Sequence, residues 1–290
     1  MHKRNEHKVT DQDQHKPQHE GGRMGGLSQM APAKVTVAPN GARRQKADHP
    51  DLPLSVVEIA QTAKSCWDAG ADEIHLHVRE ADGAHSLSVD LYQQAIAAVR
   101  HLAPGLAVQV TTEAAGRYAP AEQFALLQEL RPSSASISVR EICRTPEITQ
   151  DLYGFCNDAR IKVQHILYSL EDLELLRQLL ECGDVPDDMR DILLVFGKYN
   201  PARDAQSAEV APFVQALGDD FPNWTVCAFG PHEHDVAAEA LRLGGHVRIG
   251  FENNIHGADG ELARDNAQNI SRIVQAARAM GRSLLKDQQS

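Results

Sequence analysis

Two histidines in the stretch Glu73-Ile-His-Leu-His-Val-Arg-Glu80 are the residues of this chain best placed for chemistry. Side chains alternate faces along a strand, so His75 and His77 point one way and Leu76 and Val78 the other. Two neutral imidazoles on a rigid element supply half of a metal site; the competing reading is a pair of core histidines satisfied by hydrogen bonds. Two histidines and one carboxylate form a common catalytic zinc set, with a position left open for water or substrate. Glu252, at the end of Val247-Arg-Ile-Gly-Phe-Glu252, is the best candidate for the acid, and Glu113 and Glu233 are its rivals. Arg248 lies four residues before Glu252 and is expected to pair with a carboxylate or to brace the strand end. A second His-x-His, His232 and His234, follows Gly230-Pro231 and reads as loop residues near the site.

Side chains this distant in sequence meet only if regular elements bring them together. β-branched runs at 35–39, 73–78, 107–112, 134–139, 162–168, 192–197, 224–230 and 246–251 alternate with amphipathic stretches at 55–70, 89–102, 120–130, 146–160, 170–182, 208–217, 235–243 and 264–280. Ser55 with Glu58 three residues on makes a capping box, and Gly70, Gly183 and Gly244 stand where helices should end in a left-handed residue. Eight strand–helix units predict a (β/α)8 TIM barrel; the alternative is an open doubly wound sheet, but no Gly-x-Gly-x-x-Gly follows the first strand. In a closed barrel the last strand and the second flank the first, so Glu252 can converge on His75 and His77. The carboxyl ends of the strands, where a barrel places its chemistry, carry Arg43 and Arg44, then Thr111, Thr112, Glu113 and Ala114. They also carry Ser134, Ser136, Ser138 and Arg140, and lastly Arg248 and Glu252-Asn253-Asn254.

Composition narrows the classes. The chain has 290 residues, 42% hydrophobic and 24% charged, with a net charge of −11. An acidic chain lacks the basic face that nucleic-acid binding requires. No apolar run approaches membrane-spanning length. Five scattered cysteines without a C-x-x-C suit a reducing cytoplasm. Residues 1–32 form a polar tail, expected to be disordered, whose four histidines (His2, His7, His15 and His19) offer no fixed geometry to a metal. The remainder, 33–285, reads as one catalytic domain without a linker.

The stretches Asn40-Gly-Ala-Arg-Arg44, His75-Leu-His-Val-Arg-Glu80 and Gly244-Gly-His-Val-Arg-Ile-Gly-Phe-Glu-Asn-Asn254 resemble the β-keto acid cleavage enzymes, of which 3-keto-5-aminohexanoate cleavage enzyme is the type member. The likeness runs from about Val35 to Arg282 and is weakest over Lys162–Asp204. It implies a (β/α)8 barrel with zinc held by His75, His77 and Glu252. It also implies condensation of a β-keto acid with acetyl-CoA to release acetoacetate and a new CoA thioester, and a homotetramer or similar assembly. Carried over by motif, the substrate contacts fall on Arg43, Thr111, Ala114 through its backbone, and Ser136; Thr111, Arg248 and Asn253 fall on catalytic positions. Three departures follow from the same comparison. Many relatives carry Asp where this chain has Asn253, which cannot act as a base. The acid that meets an ammonium group in the type member aligns with Ile166, an apolar side chain that disfavours a cation. The strand-three end is Thr-Thr-Glu-Ala, not Gly-rich. Two other functions stay open at this stage: a different metal-dependent barrel lyase or hydrolase without CoA, and a keto-acid-binding barrel with impaired catalysis.

Overall fold

A computed structural model describes residues 30–199 and 201–288. The polar tail and its four histidines fall almost wholly before Met30 and lie outside the described residues. In chain order the strands are β1 (Val35–Val37), β2 (Glu73–Leu76), β3 (Val78–Arg79), β4 (His85–Ser86), β5 (Ala107–Thr111), β6 (Ser134–Ser138), β7 (Lys162–Leu167), β8 (Asp191–Phe196), β9 (Trp224–Ala228) and β10 (His246–Ile249). All but β3 and β4 pair in parallel and close into a barrel, with β1 bonded to both β2 and β10. That closure excludes the open sheet and makes the chain a (β/α)8 barrel. Strands β3 and β4 form a separate antiparallel ladder above β2.

The helices are α1 (Val56–Ala69), α2 (Val89–Leu102), α3 (Pro120–Leu130), the single turn α4 (Val139–Ile142), α5 (Pro146–Asp158), α6 (Leu170–Cys182), α7 (Val210–Leu217), α8 (Glu233–Arg242) and α9 (Asn266–Ala279). Helix α1 shows why the segments stop where they do. The Glu58 amide donates to Ser55 Oγ at 3.3 Å while the Glu58 carboxylate accepts from the Ser55 amide at 3.0 Å, so two otherwise orphaned N–H groups are satisfied. Gly70, at φ 112°, ends the helix in the left-handed region. Ile59, Ala63 and Cys66, spaced to share one face, are buried against the barrel.

Strand alternation sorts the interior into two layers. Ile74 and Leu76 of β2, Val108 and Val110 of β5, and Ile137 of β6 pack outward with Ile59, Tyr92, Val99 and Leu127 in the main apolar core. The opposite set faces the barrel axis. On β7, β8 and β9 that set includes Ile166, Leu193, Val195 and Cys227, a separate buried cluster. The same face also carries a polar layer: Gln109 Nε2 of β5 donates to Gln164 Oε1 of β7, and Gln164 Nε2 to Thr225 Oγ1 of β9, each at 3.1 Å.

Two local expectations are corrected. The strand expected over 73–78 breaks after Leu76, where pairing with β5 ends, so His77 lies between β2 and β3. Helix α8 begins at Glu233, which makes His232 its N-cap and puts His234 inside the helix, buried, rather than in a loop. Among the described residues, no helix is long and apolar enough to cross a membrane.

Candidate active site

His75 points along the axis from β2, His77 follows where the strand turns away, and Glu252 stands on the turn after β10. Strands β2, β1 and β10 are consecutive around the barrel, so the three side chains meet. His75 Nε2 lies 3.1 Å from His77 Nε2 and 3.7 Å from Glu252 Oε2, and His77 Nε2 lies 3.5 Å from Glu252 Oε2. Nitrogen and oxygen ligands about 2.0–2.1 Å from a tetrahedral ion are about 3.4 Å apart, so the donor set fits a small divalent cation. Glu252 Oε2 is buried with no hydrogen-bond partner among the described residues, which such an ion would satisfy.

The surroundings prepare these atoms as ligands. His75 Nδ1 is 2.8 Å from Gln109 Oε1, an acceptor, so Nδ1 carries the proton and Nε2 keeps its lone pair. Burial, and then the Arg248 guanidinium, hold the His75 imidazole well below its ordinary pKa and therefore neutral. Burial alone would push the Glu252 carboxyl up; Arg248, followed by the two histidines, outweighs it and holds the carboxyl far below the ordinary range. Arg248 Nη2 donates to Glu252 Oε1 at 3.2 Å. Each oxygen of the carboxylate thus has its own task. Tyr199 Oη donates to the Glu252 carbonyl oxygen. Gly41, at φ 58°, lies against the Glu252 side chain so closely that a Cβ there would collide with it.

A cavity of about 780 Å³ opens above His75 and Glu252. Arg43, Thr111 and Arg248 line it; Asn253, Ala114 and Ser136 do not. Arg43 Nη2 approaches Glu113 Oε1 at 3.6 Å, and Glu113 Oε2 is 4.0 Å from His77 Nδ1. Burial, reinforced by the charge of Glu252, pushes the Glu113 carboxyl upward. Thr111 Oγ1 accepts from the Glu113 amide at 3.0 Å. The Ala114 amide is already engaged by Glu141 Oε2 at 2.9 Å. Ser136 is fully buried below the mouth, whereas Ser138, two residues on, reaches the cavity wall; neither hydroxyl has a partner among the described residues. Asn253 is fully buried, its amide group lacks a partner among the described residues, and its carbonyl oxygen accepts from the Gly230 amide at 3.3 Å. Of the rival acids, Glu113 lines the cavity while Glu233 is turned away, accepting from the Gly250 amide at 3.0 Å and supporting the turn that carries Glu252.

Sequence reasoning passed over Gln109, Gly41 and Tyr199. A lone glutamine inside Val108-Gln-Val110 was the available signal for the first, and a glycine just past a strand end for the second. Tyr199 lay in the stretch with the weakest resemblance.

Comparison with known proteins agrees with this architecture. The family model described as beta-keto acid cleavage enzyme matches residues 32–290, and the chain belongs to that family. Its relatives include the 3-keto-5-aminohexanoate cleavage enzyme of Fusobacterium nucleatum, 30% identical over 86% of this chain and 93% of that protein. The 3-oxoadipate:acetyl-CoA acetyltransferase of Cupriavidus necator is 29% identical over 87% of this chain and 90% of its own length. Among solved structures, a ternary complex of ObcA with a C4-CoA adduct and oxalate superposes with a TM-score of 0.69 at 16% identity. That match takes in 83% of this chain but only 66% of the ObcA chain, and at such low identity it bears on the fold alone.

Proposed function

We propose that the protein is a zinc-dependent enzyme that condenses a β-keto acid with acetyl-CoA and releases acetoacetate and a new acyl-CoA. The observation that carries this reading is the buried His75–His77–Glu252 set at the floor of a cavity lined by Arg43 and Arg248. Acetyl-CoA as co-substrate is supported by the name of the Cupriavidus relative. His75, His77 and Glu252 would hold the zinc, which when bound supplies Lewis acidity to the substrate ketone.

The remaining work belongs to the chain. Arg43, on the cavity wall, offers a forked, charge-assisted pair to the substrate carboxylate. Thr111, from its place on the wall, donates to an oxygen that gains charge. Ser136 and the Ala114 backbone support this wall from behind, and Ser138 is the serine exposed to the cavity. Arg248 keeps Glu252 ionised. Asn253 cannot carry a proton as a carboxylate would, and it contributes by shaping the turn beside Glu252. Glu113, whose carboxyl is pushed up by burial and faces His77, is the group in this reading that holds and moves a proton at its Oε2.

Ile166, Val195 and Phe229 also line the cavity. They suit an uncharged acyl substituent and offer nothing to an ammonium group. A cytoplasmic home and a homo-oligomeric, tetrameric assembly complete the proposal, the former supported by five free thiols. Residues 33–285 are taken as one catalytic unit. The test is a panel of neutral, amino and dicarboxylic 3-oxo acids offered with acetyl-CoA to zinc-loaded protein lacking residues 1–29. Acetoacetate is expected, fastest from the neutral members. No acetoacetate from any member, together with no saturable acetyl-CoA binding, would overturn the reading in favour of a metal enzyme that does not use CoA.

A further inference from the structure

Arg79 ends the His-x-His-x-Arg motif, two residues beyond His77, and the chemistry above leaves it without a task. It is 5% exposed, and its guanidinium donates to four carbonyl oxygens: Gly41 at 2.8 Å from Nε, Gly83 at 2.7 Å from Nη1, and Asn40 at 3.2 Å and Arg44 at 3.1 Å from Nη2. Three of those four acceptors lie in the connection that follows β1. The fourth is in the turn between β3 and β4, to which Gln45 Nε2 also donates at 3.1 Å. A buried cation must be compensated, and here carbonyl dipoles do so. They can do it only when the connection keeps the shape that turns the carbonyls of Asn40, Gly41 and Arg44 inward onto one planar fork.

That shape matters because of what the connection carries. Gly41 packs against the side chain of Glu252. Ala42 and Arg43 line the cavity. Arg44 donates to the Asn253 carbonyl oxygen at 3.4 Å, and its guanidinium lies 5.4 Å from the centre of the Tyr199 ring. Asn40 Nδ2 donates to the His77 carbonyl oxygen at 3.3 Å. We propose that Arg79 is a positioning residue, which by gripping the carbonyls of Asn40, Gly41 and Arg44 fixes the β1 connection so that Arg43 meets the substrate and Gly41 backs Glu252. The part of this claim that concerns substrate rests on the functional reading above; the part that concerns the connection does not.

The variants are Arg79→Lys, Arg43→Ala and their combination, in the full chain. An ammonium group keeps the charge but cannot span carbonyls arranged around a planar fork. In Arg79→Lys, backbone amides of residues 40–46 are expected to exchange hydrogen for deuterium at least about tenfold faster, while those of β2 and β5 keep their protection. With a turned-over 3-oxo acid, kcat/KM is expected to fall by roughly tenfold to a hundredfold through KM for that acid, while KM for acetyl-CoA holds. In KM for that acid the double variant should lose little beyond Arg43→Ala alone, since Arg79 reaches the substrate carboxylate only through the connection that carries Arg43. Unchanged exchange over 40–46, strictly additive losses, or an Arg79→Lys chain that fails to fold would each overturn the proposal, the last because the guanidinium would then be holding the barrel. If the parent enzyme turns over no 3-oxo acid, the functional reading falls and the exchange measurement still decides the structural claim.

Discussion

Replacing Gln109 with leucine is the sharpest test of the candidate metal centre, because it alters neither a cavity-lining residue nor a proposed ligand. His75 Nδ1–H donates to Gln109 Oε1 at 2.8 Å, and the Gln109 amide passes its own hydrogen bond to Gln164, which passes one to Thr225. The Thr225 hydroxyl accepts or donates equally well, so the protein alone would tolerate the whole chain reversed, with the imidazole proton moved to Nε2. In the direction seen, Nε2 keeps its lone pair for a cation. Leucine removes the acceptor, frees the ring to tilt and lets the proton return to Nε2. Loss of such a supporting contact costs about 10–100-fold in metal affinity, which is roughly 1.4–2.8 kcal/mol. Fold stability should fall as well, by about 1–3 kcal/mol, since Gln164 Oε1 loses its donor inside the barrel. Gln109→Glu separates the two effects. A carboxylate accepts more strongly from Nδ1–H and should hold metal affinity at or above the parent's, while it still deprives Gln164 of its donor. The assay is competition for zinc against a chromophoric chelator, with residues 1–29 removed so that the tail histidines take no part. A folded leucine variant within about threefold of the parent affinity would refute the argument. So would a glutamate variant that weakens binding as much as leucine does.

Three further outcomes are expected. Gly41→Ala should lower stability by about 1–2 kcal/mol from its left-handed backbone alone and should also displace Glu252, so thermal melts and zinc competition must both worsen; unchanged zinc affinity would show that Gly41 does not back the acid. Arg248→Met leaves the Glu252 charge buried without its cation, which should cost the metal-free protein about 3–5 kcal/mol. Zinc should recover more of that loss than it adds to the parent, and an equal deficit with and without zinc would count against the pairing. His165, fully buried between Tyr153 and Met189, has its pKa lowered to about 4 by burial. The unfolded chain binds that proton near pH 6.5 and the folded chain does not, so the contribution is whole above 6.5 and is lost as pH falls towards 4. In that window His165→Asn should flatten the slope of unfolding free energy against pH by about 1.4 kcal/mol per pH unit, and an unaltered slope would contradict it.

The barrel was legible because each unit carries its own local evidence. A β-branched run shows its period, and α1 shows its cap, its stripe and its stop within sixteen residues, Ser55 to Gly70. The meeting of His75, His77 and Glu252 was legible for a related reason: the i, i+2 spacing of His75 and His77 is local, and barrel closure makes β10 and β2 flank β1 without further information. What stayed hidden depends on relations that no window contains. Gln109 finds Gln164 fifty-five positions away, and Gln164 finds Thr225 sixty-one positions away. Each glutamine taken alone is an isolated polar residue on a buried strand.

The two serines of β6 make the same point at finer scale. Alternation gives Ser136 and Ser138 the same inward face, and the motif likeness falls on Ser136. Which of them reaches the mouth is set by the tilt and stagger of β6 against β5 and β7, a property of the whole closed sheet. The stagger pairs Ser136 with Gln164, in the polar layer beneath the site, and Ser138 with Ile166, at the level where the apolar wall begins. Ser138 therefore stands in register with the first apolar residue that β7 contributes to the cavity, one inward-facing layer above the polar chain that holds Gln164.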